Sequence, residues 1–266
     1  MVLPTGDRDA LIRAMDGNAM DYLRAYASGP GAVLIEDGEA IGYVTRIPHP
    51  AFNGAFIGGS RTASLPALHA ALAPHLARHG RGGLWWLGSG PQAAGAEAAL
   101  AMLGLAPAGS SAGMAMAYDP AVLDYRIAGL EIAEAFGRDG RRTWGALAAH
   151  GFGLSGYDAT MMAEAEAALA GTAPAGHLRL IGSLNGTPVA TASRLLSFGV
   201  SGIYAIATLP QAQRRGIGAA MTLAAMAWGL PPGPRVATLQ ASGMGRPLYA
   251  RLGYETLLEY RLYTQP

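Results

Sequence analysis

The chain has 266 residues, 51% of them hydrophobic and only 14% charged, with a formal net charge of +1. That is enough apolar material for one large or two ordinary cores, and too little basic excess for a nucleic-acid-binding surface. The absence of cysteine excludes disulfides, thiolate metal sites and a cysteine nucleophile, and agrees with a cytoplasmic location.

From the N-terminus, residues 1–18 carry acids and no apolar stretch, so no signal peptide is expected. Ala32–Thr45 reads as a hairpin turned at Asp37-Gly38, and Ala55–Ile57 as a third strand. Leu65–His79 has helical spacing, Gly83–Leu87 reads as a buried strand, Ala93–Leu103 as a helix and Gly113–Tyr118 as a strand. On Gly83–Leu87, Trp85 and Trp86 face opposite ways, one to core and one to contact. A linker from Asp119-Pro120 to Ala128 follows. Then come a strand at Leu130–Phe136 and helices at Thr143–His150 and Asp158–Leu169, the second with Asp158 as N-cap. Leu178–Leu184 and Pro188–Leu195 form a hairpin across Asn185-Gly186. Gly202–Thr208, Val236–Gln240 and Leu257–Tyr263 read as strands; Gly218–Trp228 and Arg246–Leu252 read as helices. Trp228 is expected to pack structurally.

Both halves follow one order: hairpin, strand, helix, strand, helix, strand. The expectation is a mixed α/β protein of two tandem domains, residues 1–120 and 121–266. Leu100–Tyr118 and Gly216–Pro234 are uncharged but broken by Gly, Pro or Ser, so no membrane span is expected.

The segment with chemistry is Ile203–Met221. A strand runs into Leu209-Pro210, then Gln213-Arg214-Arg215-Gly216-Ile217-Gly218, then a helix. Helix N-terminal amides and the positive end of the helix dipole suit an anion, and two glycines leave room for a phosphate beside two arginines. On spacing alone a basic turn before a helix is an equal alternative.

Gln213-x-x-Gly216-x-Gly218, preceded by Thr208-x-Pro210 and followed by Arg235–Ser242 and Pro247–Tyr254, resembles the signature of the Gcn5-related N-acetyltransferases, over roughly residues 128–266. The resemblance implies an acetyl-CoA site. In it the backbone of Ile206, Ala207 and Thr208 pairs with the pantetheine arm. Gln213 opens the loop, and the amides of Arg214, Arg215, Gly216, Ile217, Gly218 and Ala219 cradle the pyrophosphate. It also implies that Tyr249 protonates the departing thiolate, with packing beneath the cofactor as the alternative. Ser242 stands where many members have asparagine, so its share in catalysis is open. Tyr204 is a candidate to line the acceptor pocket. Glu131, Glu134, Glu255, Glu259, His150 and His177 are weaker candidates for a base.

The first half lacks the glycine signature; Gly58–Arg61 is a weak anion site at best, and this half is expected to brace the other. The function implied is acetyl transfer from acetyl-CoA to a primary amine of a small molecule, without metal, nucleic acid or membrane, by a monomer or homodimer. The alternatives are an acyl-CoA sensor without turnover, another acyl group, or a hydroxyl acceptor.

Overall fold

The computed structural model describes residues 7–38, 40–58, 64–80, 82–88, 93–172, 174–233 and 235–265. The strands in chain order are β1 (Val33–Asp37), β2 (Ala40–Val44), β3 (Asn53–Ile57), β4 (Leu84–Leu87), β5 (Ala106–Tyr118), β6 (Leu130–Glu134), β7 (His177–Leu184), β8 (Thr187–Ser197), β9 (Val200–Thr208), β10 (Arg235–Ala241) and β11 (Glu255–Thr264). The helices are α1 (Arg8–Ala27), α2 (Leu65–His79), α3 (Ala93–Met102), α4 (Gly137–Gly151), α5 (Gly156–Ala168), α6 (Ile217–Ala227) and α7 (Arg246–Leu252).

All the strands lie in one sheet, ordered β1-β2-β3-β4-β11-β5-β10-β9-β8-β7-β6. The order mirrors about its middle: β1 to β4 on one side answer β7 to β10 on the other. The repeated plan read from the sequence is therefore present. The closing strands, however, are exchanged. β11 pairs with β4 of the first half, β5 pairs with β10 of the second, and β5 and β11 pair with each other. Neighbours are antiparallel except β3 with β4 and β9 with β10.

α1 was not expected from the sequence. Its start is capped by Asp7, whose side chain accepts from Ala10 N, and half its length is buried. It lies across both halves. Met15, Leu23 and Ala27 pack with Ile41, Tyr43 and Phe56 on one side. On the other, Asn18 Nδ2 donates to the carbonyl of Leu195 at 3.0 Å and to Ser197 Oγ at 2.9 Å. Two further boundaries differ from expectation. Asp158 is not the N-cap of α5: Ser155 holds that position, Gly156 (φ 54°) opens the helix, and Asp158 sits in the first turn. β5 begins at Ala106, seven residues before the expected start, through a run of Ala, Gly, Ser and Pro held by pairing with β11.

Candidate functional site

The site comes from a difference between two equivalent strand pairs. In the first half β3 and β4 stay paired from Gly54–Leu84 to Ile57–Leu87, and Gly88 N extends the ladder to the Ile57 carbonyl at 3.0 Å. In the second half β9 and β10 pair only at Ser201–Ala237 and Gly202–Thr238, and then separate. Ala205, with φ 49°, marks the parting, at a bulge where the register against β8 shifts between Thr191 and Ser193. A non-glycine residue held there is strained, and bulges of this kind re-aim a strand. Thr191 Oγ1 fixes the bulge by donating to the Ala205 carbonyl at 2.9 Å.

A cavity of about 250 Å³ occupies the opening. Ile206, Ala207, Tyr204, Ser242 and Tyr249 line it, with Trp86 and residues of α1 on the far side. Thr208, Gln213 and the residues through Ala219 lie outside this lining, at the end of β9 and the start of α6.

That loop is ordered by its own bonds. Gln213 Nε2 donates to the Thr208 carbonyl at 3.0 Å. Arg214 (φ 60°) and Gly216 (φ 77°) are both left-handed, a backbone form that turns successive N–H groups to one side. The first intrahelical bond of α6 runs from Ala220 N to the Gly216 carbonyl, so the amides of Ile217, Gly218 and Ala219 lie ahead of it. Ile217 is buried and anchors the helix start, whereas Arg214, Arg215 and Gly216 are exposed. Around Gly218 the nearest atoms to an added Cβ would be Leu248 Cδ2 at 3.5 Å and Thr208 Oγ1 at 3.9 Å, ordinary contacts, so nothing crowds the backbone at this glycine. Leu248 thereby seats α7 against the loop.

Tyr249 projects from α7, its ring edge-on to Tyr254 at 5.8 Å. Burial pushes its phenol up to about 12. Ser242 Oγ accepts from Gly245 N at 3.2 Å and its carbonyl accepts from Arg246 N, so this serine closes the turn ahead of α7 while lining the cavity. Tyr204 stacks on Tyr22 of α1 at 3.9 Å between ring centres and donates to Asn18 Oδ1 at 2.6 Å. Burial first, then the neighbouring Tyr22, Asp21 and Asp16, raise its phenol well above the ordinary value. Trp85 is fully buried and Trp86 faces the cavity, as alternation predicts. Trp228 packs against the second-half core.

The proposed bases are not brought to the cavity. Glu131, Glu134, Glu255, Glu259 and His150 are exposed, Glu259 in an ion pair with Arg246 at 2.8 Å. His177 is held behind the site by Arg179 and Ser193. Gly59, Ser60 and Arg61 lie outside the described residues. Sequence reasoning missed the contribution of α1: Ala19, Tyr22 and Leu23 form one wall. Asp7 ahead of apolar residues at helical spacing was the available signal. Among the described residues no group of three or more His, Asp or Glu is placed to hold a metal ion, and no helix is long and apolar enough to cross a membrane.

No protein-family model and no curated protein matches the sequence. Solved structures do. A GCN5-related N-acetyltransferase from Kribbella flavida aligns over 96% of both chains at 19% identity and a TM-score of 0.66. A tandem GNAT protein from the clavulanic acid biosynthesis pathway aligns over 94% of both chains at 13% identity, TM-score 0.57. A GCN5-related N-acetyltransferase from Sphaerobacter thermophilus aligns over 98% of this chain and 93% of its own at 16% identity, TM-score 0.54. The chain thus has the fold of the Gcn5-related N-acetyltransferases, in tandem form.

Proposed function

We propose that the protein is an acyl-CoA-dependent acyltransferase, moving an acetyl group from acetyl-CoA to a primary amine of a small molecule at the opening between β9 and β10. The observation that carries this is the parting of β9 from β10 beside a left-handed, glycine-bearing loop. The parted strand leaves backbone groups of Ile206, Ala207 and Thr208 for an extended pantetheine arm. The loop offers amides from Arg214 to Ala219, the positive end of α6 and the side chains of Arg214 and Arg215 to a pyrophosphate. The uncrowded backbone at Gly218, where an added Cβ would meet Leu248 Cδ2 and Thr208 Oγ1 only at ordinary contact distance, fits that use. When bound, acetyl-CoA supplies an activated thioester carbonyl.

The chain's own residues then position and polarise. Tyr249 Oη remains protonated at any working pH. Handing that proton fully to a thiolate of ordinary value ~8.5 would be uphill by roughly 5 kcal/mol, so the phenol acts chiefly by hydrogen bonding to developing charge. The parted β9 offers amides that polarise a carbonyl oxygen, and enclosure by α1 holds the two reactants together. Among the described residues no cavity-lining side chain is a base of ordinary strength. The amine therefore loses its proton to solvent or through water.

Titration calorimetry with acetyl-CoA tests the reading. The native chain should bind it, and Gly218→Trp, which sets an indole beside the loop amides, should abolish binding. Equal affinity in both would end the cofactor assignment. A second reading, acyl-CoA binding without turnover, is favoured by one observation: Ser242 Oγ is engaged by Gly245 N in the turn ahead of α7. Thiol release with a panel of amines separates the two.

A further inference from the structure

Among the described residues the acceptor side of the cavity carries no charged side chain. None of the described residues lining it is Asp, Glu, Lys, Arg or His. The buried carboxylates behind it are engaged: Asp16 accepts from Tyr260 Oη, and Glu166 lies 2.9 Å from Arg141 and 3.1 Å from Arg179. The walls are rings, supplied by both halves. Tyr22, Phe52, Phe56 and Trp86 come from the first half, and Phe152 and Tyr204 from the second. They brace one another: Phe52 meets Phe152 edge-on at 4.9 Å, Phe56 stacks with Trp86 at 6.2 Å, and Tyr22 lies flat on Tyr204.

A second charge on a substrate would enter this space with no counter-ion among the described residues, which disfavours it strongly. A single ammonium is tolerable, because ring faces attract a cation and the amine must shed its charge before reacting. Size narrows the choice further. An apolar cavity of about 150 Å³ accommodates benzene. The cavity here, about 250 Å³, has room for one ring, a short tether and the acyl end.

Resting on the acyl-transfer reading, we infer that the acceptor carries its amine on a short tether from a single aromatic body bearing no other charge. In the reaction the nitrogen bonds to the acyl carbon as the carbon–sulfur bond breaks. The ammonium loses two protons, one to solvent and one to the departing sulfur.

The test uses the full chain with acetyl-CoA and four probes: 2-phenylethylamine, 1,4-diaminobutane, lysine and 2-phenylethanol. Thiol release should give 2-phenylethylamine a kcat/KM at least ~100-fold above the diamine and lysine. Parity or reversal overturns the inference while leaving acyl transfer standing, and preference for 2-phenylethanol overturns the amine. If acetyl-CoA does not bind by calorimetry, the acyl-transfer reading fails instead, and direct titration of the four probes decides the cavity's preference. The same titration on the acetyl-CoA complex decides it if binding occurs without turnover. Tighter binding of 2-phenylethylamine supports the inference and its absence overturns it. Trp86→Ala should raise the KM for 2-phenylethylamine about tenfold with acetyl-CoA affinity unchanged. Phe152→Glu, at a half-buried position, should shift the ratio toward the diamine; an unmoved ratio in this variant counts against the inference.

Discussion

Tyr249 and His177 show how burial sets what a titratable side chain can do. Tyr249 is a phenol held near 12, a better donor than acid. Tyr249→Phe should therefore lower kcat by about 10- to 100-fold, the size of a hydrogen bond to charge, with acetyl-CoA affinity unchanged in calorimetry. His177 is pushed well below its ordinary 6.5, first by burial and then by Arg179 and Arg141. The unfolded chain takes up a proton near pH 6.5, and the folded chain does so only at lower pH. The stability tied to the neutral ring is thus complete above pH 6.5 and is lost as pH falls toward the folded value. Thermal melts should show a midpoint falling between pH 7 and 5, with a smaller fall in His177→Gln, which keeps an acceptor for Arg179. His49, also lowered by burial, accounts for part of the slope that remains.

Among the elements, the hairpin at Asn185-Gly186, the Trp85-Trp86 strand and the glycine loop before α6 were legible because each is specified by local chemistry. Turn residues, alternation and a short motif act over a few positions. Other features were not legible, for physical reasons. The first residues of β5 have poor strand propensity and are strands only because β11 lies beside them. The unpairing of β9 from β10 depends on a bulge at Ala205, a residue type that gives no sign of a positive φ. The closed state of the first half rests on the opposite device. Gly54, at φ 132°, lets β3 approach β4 so closely that a Cβ there would lie 2.2 Å from the Leu84 carbonyl oxygen. Gly54→Ala should cost about 3 kcal/mol or more in a denaturant titration, since backbone rather than a side chain must yield.

For the whole molecule, the sequence indicated two tandem units and gave no sign of their exchange, because partner choice among strands is set by pairings distant in sequence. A fragment of residues 121–266 lacks β5, which lies between β10 and β11 in the sheet. Expressed alone, that fragment should be unfolded or aggregated by circular dichroism and size-exclusion chromatography. Co-expression with residues 1–120 should recover a complex that binds acetyl-CoA. A well-folded fragment with native affinity would show the exchange to be dispensable.

The exchanged strands also bear on how the chain is made. β11 follows every other strand in sequence yet sits near the middle of the sheet, against β4. As the polypeptide leaves the ribosome, β1 to β4 emerge first, and β4 must wait with an open, Trp-bearing edge until residues 255–264 arrive. An unpaired apolar edge is an invitation to another nascent chain. Pauses in translation between β4 and β11 should therefore lower the soluble yield of this protein more than pauses before β4.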